Sequence, residues 1–150
     1  NMISDACDNF GANKDKVLES IGGDSRIGNK CFNPGNSYGG PCFPRDTKAL
    51  QNIMDNININ SDILIGTTKY NEEHINYQVA QLLKEEKKEY IIENICYKHN
   101  CKVPIIEESA KLKIGVLLVK SGKKVIIRDE SHMINEVIKE YGNIFKYDII

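Results

Sequence analysis

Residues 35–50 read Gly-Asn-Ser-Tyr-Gly-Gly-Pro-Cys-Phe-Pro-Arg-Asp-Thr-Lys-Ala-Leu, placing a cysteine behind flexible glycine backbone and four residues ahead of an aspartate. Gly39-Gly40 removes the Cβ atoms that block close approach of a ligand. Pro41 and Pro44 restrict the backbone on either side of Cys42, so that the thiol is presented in one pose. The segment from Asp46 to Leu50 reads as a helix start, with acidic and hydroxyl groups in its first turn. The positive end of that helix favours a thiolate nearby. The pattern is one for covalent catalysis, with Cys42 as nucleophile and Asp46 one helical turn along. Cys7, Cys31, Cys96 and Cys101 lack such surroundings and read as small buried hydrophobes.

Upstream, Met2, Ile3, Ala6 and Phe10 recur at helical spacing before Gly11. Val17, Leu18 and Ile21 make the inward face of a second helix over 14–21, stopped by Gly22-Gly23. A loop over about 22–45 follows, long enough to imply service to a site. Downstream, 47–54 reads as helix and 61–88 as a long helix with Ile63, Leu64, Thr67, Tyr70, His74, Tyr77, Val79, Leu82 and Leu83 near a 3.6-residue period. Its length suits a span between lobes or subunits. Composition then changes. Tyr90-Ile91-Ile92 with Ile95-Cys96-Tyr97, and Val125-Ile126-Ile127, are short apolar runs bounded by charge that read as buried strands. They flank a helix over 109–120 that is closed by Gly122, giving one parallel βαβ unit. The expected domain boundary lies near residue 87.

With 20 basic and 21 acidic residues among 150, the charges nearly cancel, so nothing in the balance calls for nucleic acid or an anionic membrane. No apolar run approaches the roughly 20 residues that span a bilayer, and residues 1–5 carry no leader pattern. Five cysteines, an odd number, do not form a secreted disulfide framework, and the expected location is cytoplasmic with reduced thiols. Cys96, His99 and Cys101 match no common zinc spacing, so no metal is expected. His74 and His132 have no acid, nucleophile or ligand cluster nearby in sequence.

The run Ser37-Tyr38-Gly39-Gly40-Pro41-Cys42-Phe43-Pro44-Arg45-Asp46 resembles the active-site loop of the UDP-glucose/GDP-mannose dehydrogenase family, Gly-Tyr/Phe-Gly-Gly-Ser-Cys-Phe-Pro-Lys-Asp. It departs at Ser37, Pro41 and Arg45. Gly23-Asp24-Ser25-Arg26-Ile27-Gly28-Asn29-Lys30 is similar to the family's Gly-x-Asp-x-Arg-Ile-Gly-x-Lys, and 46–78, with Asn71-Glu72, resembles its dimer-core helix pair. Ile95-Cys96-Tyr97-Lys98 and Glu108-Ser109 are similar to the start of its C-terminal UDP-binding domain. Glu107 stands where the family has an arginine, and Asn94 where it has a glycine.

The resemblance implies an α-helical central dimerisation domain over 1–87, followed by part of an α/β Rossmann-like UDP-binding domain over 88–150. It implies NAD-dependent, two-step oxidation of UDP-glucose to UDP-glucuronate through a Cys42 thiohemiacetal and thioester, with Asp46 positioning water or taking a proton. Substrate-binding residues carried over are Arg26, Phe32, Tyr38, Gly39, Gly40, Phe43 and Lys98, with Arg26 reaching the sugar of a neighbouring subunit. Partners implied are a UDP-sugar and a second copy joined through the long helix. No Gly-x-Gly-x-x-Gly occurs, so NAD is expected to be bound by a domain not present in this chain. The family's catalytic lysine and its companion asparagine are expected upstream of residue 1, so the chain alone is expected to be an incomplete enzyme. A GDP-mannose dehydrogenase and a non-catalytic dimerisation or nucleotide-sugar-binding module are the alternatives.

Overall fold

The computed structural model describes residues 1–30, 32–98 and 103–150. Packing divides them into two compact units, Asn1–Ser37 and Tyr38–Ile150.

The first unit holds α1 (Met2–Phe10) and α2 (Lys14–Gly22). Gly11 ends α1 in the left-handed region at φ 69, and its N–H donates to the Cys7 carbonyl. The Asn13 side chain caps α2 by accepting from the Lys16 N–H at 3.0 Å. Leu18 is buried as its spacing predicts. The apolar residues of α1 behave differently: Met2 and Phe10 are exposed, and Ser4, Asp5 and Cys7 are the buried side. The Asn1 side chain fastens the end of this unit to its start, accepting from the Gly35 N–H at 2.9 Å and donating to the Asn36 carbonyl.

The second unit runs α3 (Phe43–Asn56), α4 (Asp62–Leu83), β1 (Glu89–Glu93), α5 (Ala110–Lys120), β2 (Lys124–Asp129), α6 (Ser131–Tyr141) and β3 (Lys146–Ile149). The sheet is parallel in the order β1-β2-β3, with Ile91 opposite Ile126 and Ile127 opposite Tyr147. The expected βαβ unit is present, and α6 and β3 extend it beyond the elements read from the sequence. Gly122 follows α5 at φ 76, as the expected helix stop requires. Arg128 on β2 ties the register of all three strands, pairing with Glu93 of β1 and Asp148 of β3. Ser109 caps α5 by accepting from the Leu112 N–H, and its hydroxyl donates to the Ile95 carbonyl at 2.7 Å.

Two element boundaries and one helix face differ from the sequence reading. The long helix ends at Leu83 rather than near 88; Lys84 is its C-cap, and Glu86 then takes a left-handed φ of 54 in the Glu-Glu-Lys-Lys turn. The first strand stops at Glu93, because Asn94 adopts φ 54, so Ile95-Cys96-Tyr97 lies outside the sheet. Of the expected inward face of α4, Ile63 and Thr67 are exposed, while His74 and Val79, with Ile75, are buried. The C-terminal half of α4 thus enters the core. Ile75 and Val79 share one apolar cluster with Leu112, Leu118, Val125, Ile127, Ile134 and Val137. Residue 87 therefore marks a change of secondary structure, whereas packing divides the chain at Ser37/Tyr38.

Candidate active site

Cys42 is the N-cap of α3. Its φ and ψ of −97 and −62 are already right-handed helical, and its carbonyl accepts the Asp46 N–H at 2.8 Å. The helix starts at Phe43 instead of near Asp46, with Pro44 in its first turn, where a missing N–H costs no hydrogen bond. The thiol is therefore at the helix mouth and exposed. Asp46, four residues on, shares its face.

The Asp46 carboxylate accepts from Arg45 Nε at 2.8 Å, with both side chains mostly exposed, so this is a solvent-screened pair. The Arg45 guanidinium is held above its ordinary range, first by this hydrogen bond and the Asp46 charge, then by Cys42, with a contribution from Glu107. A permanent cation thus stands beside the thiol. The charge reversal at Glu107 falls within the field of the same arginine.

Glycine backbone fixes the loop ahead of Cys42 to the α/β layer. The Gly40 N–H donates to the Glu107 carbonyl at 3.1 Å. A Cβ on Gly39 would stand 1.9 Å from the Glu108 carbonyl oxygen. Gly40 is at φ +80, and a Cβ there would meet the Tyr97 ring at 2.3 Å. The close approach that these glycines permit here is to the connection between β1 and α5. On the other side, the Asn71 side chain of α4 accepts the Tyr38 N–H at 2.9 Å and donates to the Tyr38 carbonyl at 2.9 Å. The Tyr38 ring meets the Phe43 ring edge-on, with centroids 6.2 Å apart, closing the turn that carries Cys42. The Tyr38 hydroxyl oxygen is buried with no hydrogen-bond partner among the described residues.

Lys98 reaches this assembly through Tyr97, its ammonium lying 5.4 Å from the ring centroid. Tyr38, Gly39, Gly40, Cys42, Phe43, Asp46 and Lys98 thus belong to one packed neighbourhood. Arg26 and Phe32 lie in the first unit. There Arg26 forks onto Asp24 at 2.6 and 3.0 Å, an exposed pairing that raises the arginine and lowers the aspartate from their ordinary ranges. The Cys96 thiol donates to the Ile105 carbonyl at 3.2 Å, and the His99 and Cys101 of the disfavoured metal set lie outside the described residues. A separate groove of about 430 Å³ runs between α4, α5 and α6, lined by Glu72, Ile75, Asn76, Lys113, Val116, Leu117 and Tyr141; none of the proposed site residues lines it.

Asn71, Tyr97 and the Glu107 and Glu108 carbonyls are the parts that sequence reasoning left without a role. Asn71-Glu72 stood out only as part of a helix pair. Its signal is an amide on an otherwise amphipathic helix, which does not reveal its partner 33 residues away.

Residues 1–73 match the family model described as "UDP-glucose/GDP-mannose dehydrogenase family, central domain". Residues 1–73 of this chain are thus similar to the central domain of UDP-glucose/GDP-mannose dehydrogenases. The chain is 37% identical over 82 residues to the UDP-glucose 6-dehydrogenase of Rickettsia typhi, a match covering 55% of this chain and 19% of that protein. It is 39% identical over 83 residues to one from Bacillus subtilis, covering 55% and 18%. The chain thus spans about a fifth of the length of the curated relatives it matches. A UDP-glucose dehydrogenase from the archaeon Pyrobaculum islandicum superimposes with a TM-score of 0.80 at 26% identity, over 93% of this chain and 32% of that one. A GDP-mannose dehydrogenase from Pseudomonas aeruginosa shares the fold, with a TM-score of 0.67 at 17% identity over 97% and 36%. These two structures extend the likeness past residue 73, so the helical domain and the partial Rossmann-like layer both have counterparts in dehydrogenases of this type. No described helix is long and apolar enough to cross a membrane.

Proposed function

We propose that this chain is the thiol-bearing part of a UDP-glucose 6-dehydrogenase, with 1–87 as helical central domain and 88–150 as the beginning of the UDP-binding domain. The observation that carries the reading is Cys42 exposed at the mouth of α3 with Asp46 one turn on. The Cys42 thiolate adds to the carbonyl carbon of a sugar aldehyde, giving a thiohemiacetal whose oxygen takes up a proton. Once that carbon has lost a hydride and its hydroxyl a proton, the resulting thioester is split by water oriented by Asp46, releasing the carboxylate and restoring the thiol. Tyr38, Phe43 and Lys98, with Arg26 and Phe32, are the residues we assign to the nucleotide sugar, while Gly39 and Gly40 seat the loop on the Glu108 carbonyl and the Tyr97 ring.

NAD would supply the hydride acceptor. The two β-to-α connections, 94–109 and Glu130, contain no glycine, so neither offers the pyrophosphate cradle of a dinucleotide site. Free thiols at Cys7, Cys42 and Cys96 are in keeping with a cytoplasmic location.

The test is NADH formation by the gene product with UDP-glucose and NAD. Cys42→Ala should lower turnover by at least about a thousandfold, as loss of a covalent nucleophile does elsewhere. Retained turnover in that variant would sink the mechanism. Faster turnover with GDP-mannose in place of UDP-glucose would reassign the substrate. UDP-glucose binding without NADH would point to a non-catalytic module.

Homodimerisation through the α3–α4 hairpin belongs to the same proposal. No residue of α3 is buried, and the hairpin exposes Leu50, Ile53, Ile57, Ile59, Ile63 and Ile65. Such a row of apolar side chains is an interface signature. Light scattering should give twice the chain mass of 17.0 kDa, and a monomer at micromolar concentration would refute it.

A further inference from the structure

We infer that Asn71 is a positioning residue for the Cys42 thiol, acting through the backbone of Tyr38; the inference rests on Cys42 being the nucleophile. An amide side chain presents an N–H donor and a carbonyl acceptor in one fixed plane, and Asn71 turns both toward a single residue: it accepts from the Tyr38 N–H and donates to the Tyr38 carbonyl, each at 2.9 Å. In effect α4 offers Tyr38 the paired hydrogen bonds of a neighbouring strand. A loop residue held by one hydrogen bond can still swivel about it. Two antiparallel bonds to a planar group remove that freedom.

The restraint reaches the thiol by two routes. Along the chain, Tyr38 is followed by Gly39, seated on the Glu108 carbonyl, and by Gly40, bonded to the Glu107 carbonyl and packed on Tyr97. Through space, the Tyr38 ring braces Phe43, the first residue of α3. Cys42 is thereby bracketed on both sides, and its helical backbone angles keep it continuous with the first turn of α3. Releasing Tyr38 frees the glycines, which have no intrinsic preference for their docked conformation. The N-cap then frays, and the thiol leaves the helix mouth.

The measurement is the alkylation rate of Cys42 by iodoacetamide in the full 150-residue chain, mapped by peptide mass spectrometry, against a synthetic peptide of residues 37–50. Hydrogen exchange at the Tyr38 amide is followed in parallel. The wild-type chain should alkylate Cys42 several-fold faster than the peptide. Asn71→Leu, similar in size but without either polar group, should bring the rate to within about twofold of the peptide and expose the Tyr38 amide to exchange. Asn71→Asp keeps the acceptor and loses the donor, so it should retain partial protection of the amide and an intermediate rate. It also serves if the leucine variant does not fold. Wild-type alkylation rates in both folded variants would overturn the positioning role while leaving the nucleophile assignment standing. A wild-type rate no faster than the peptide would overturn the nucleophile assignment, and this inference with it.

Discussion

Gly39→Ala is expected to undock the Cys42 loop and destabilise the chain by about 1–3 kcal/mol, the usual cost of forcing atoms into packed space. The new Cβ would stand 1.9 Å from the Glu108 carbonyl oxygen and 2.9 Å from its carbon, and both are backbone atoms. No rotamer change relieves such a contact, so either the loop lifts or the turn into α5 moves. Lifting the loop breaks the Gly40 to Glu107 hydrogen bond and uncovers Tyr97. For a chain of this size the melting temperature should fall by about 2–4 °C per kcal/mol lost. Thermal unfolding followed by circular dichroism checks it, and an unchanged melting temperature would mean that the loop is not seated on the α/β layer.

Leu112→Ala should be more damaging still. Leu112 is fully buried in the first turn of α5, inside the cluster that joins α4, α5, α6 and the sheet. A buried leucine cut to alanine costs about 2–5 kcal/mol, depending on how far its neighbours collapse into the cavity. Domains of this kind have only about 5–15 kcal/mol in hand. Urea denaturation should show a lower midpoint with little change in slope. A loss below about 1 kcal/mol would place Leu112 outside the cooperative core.

The legible parts of this chain were those governed by local chemistry. Apolar runs at 90–92 and 125–127 with a helix between them read as parallel strands, and the observed register agrees, although Ile91 on the edge strand is exposed. The thiol motif was visible because glycine, proline and cysteine in that order have few structural uses. What escaped were effects set by partners distant in sequence. The N-terminal half of α4 has the same apolar period as the half that enters the core, so periodicity could not tell that Ile63 is exposed while Ile75 is buried in the apolar cluster. The acidic and hydroxyl groups at Asp46 and Thr47 suggest a later helix start, although proline in a first turn is compatible with the start at Phe43. Gly39-Gly40 suggested room for a ligand, and the structure places the Glu108 carbonyl and the Tyr97 ring in that space. The α6–β3 extension was left unassigned, although Met133, Ile134 and Val137 follow a helical spacing that buries them.

The Cys42 loop is anchored to residues that come later in the chain: Tyr38 to Asn71, 33 positions on, and Gly40 to Glu107 and Tyr97. During synthesis the thiol emerges long before its anchors do. Contacts of such wide separation form late, after nearby helices have closed. A chain released from the ribosome only as far as β1 would hold the Cys42 loop through Asn71 alone, without its Glu107 and Tyr97 contacts. Full seating of this loop therefore waits until the α/β layer has folded.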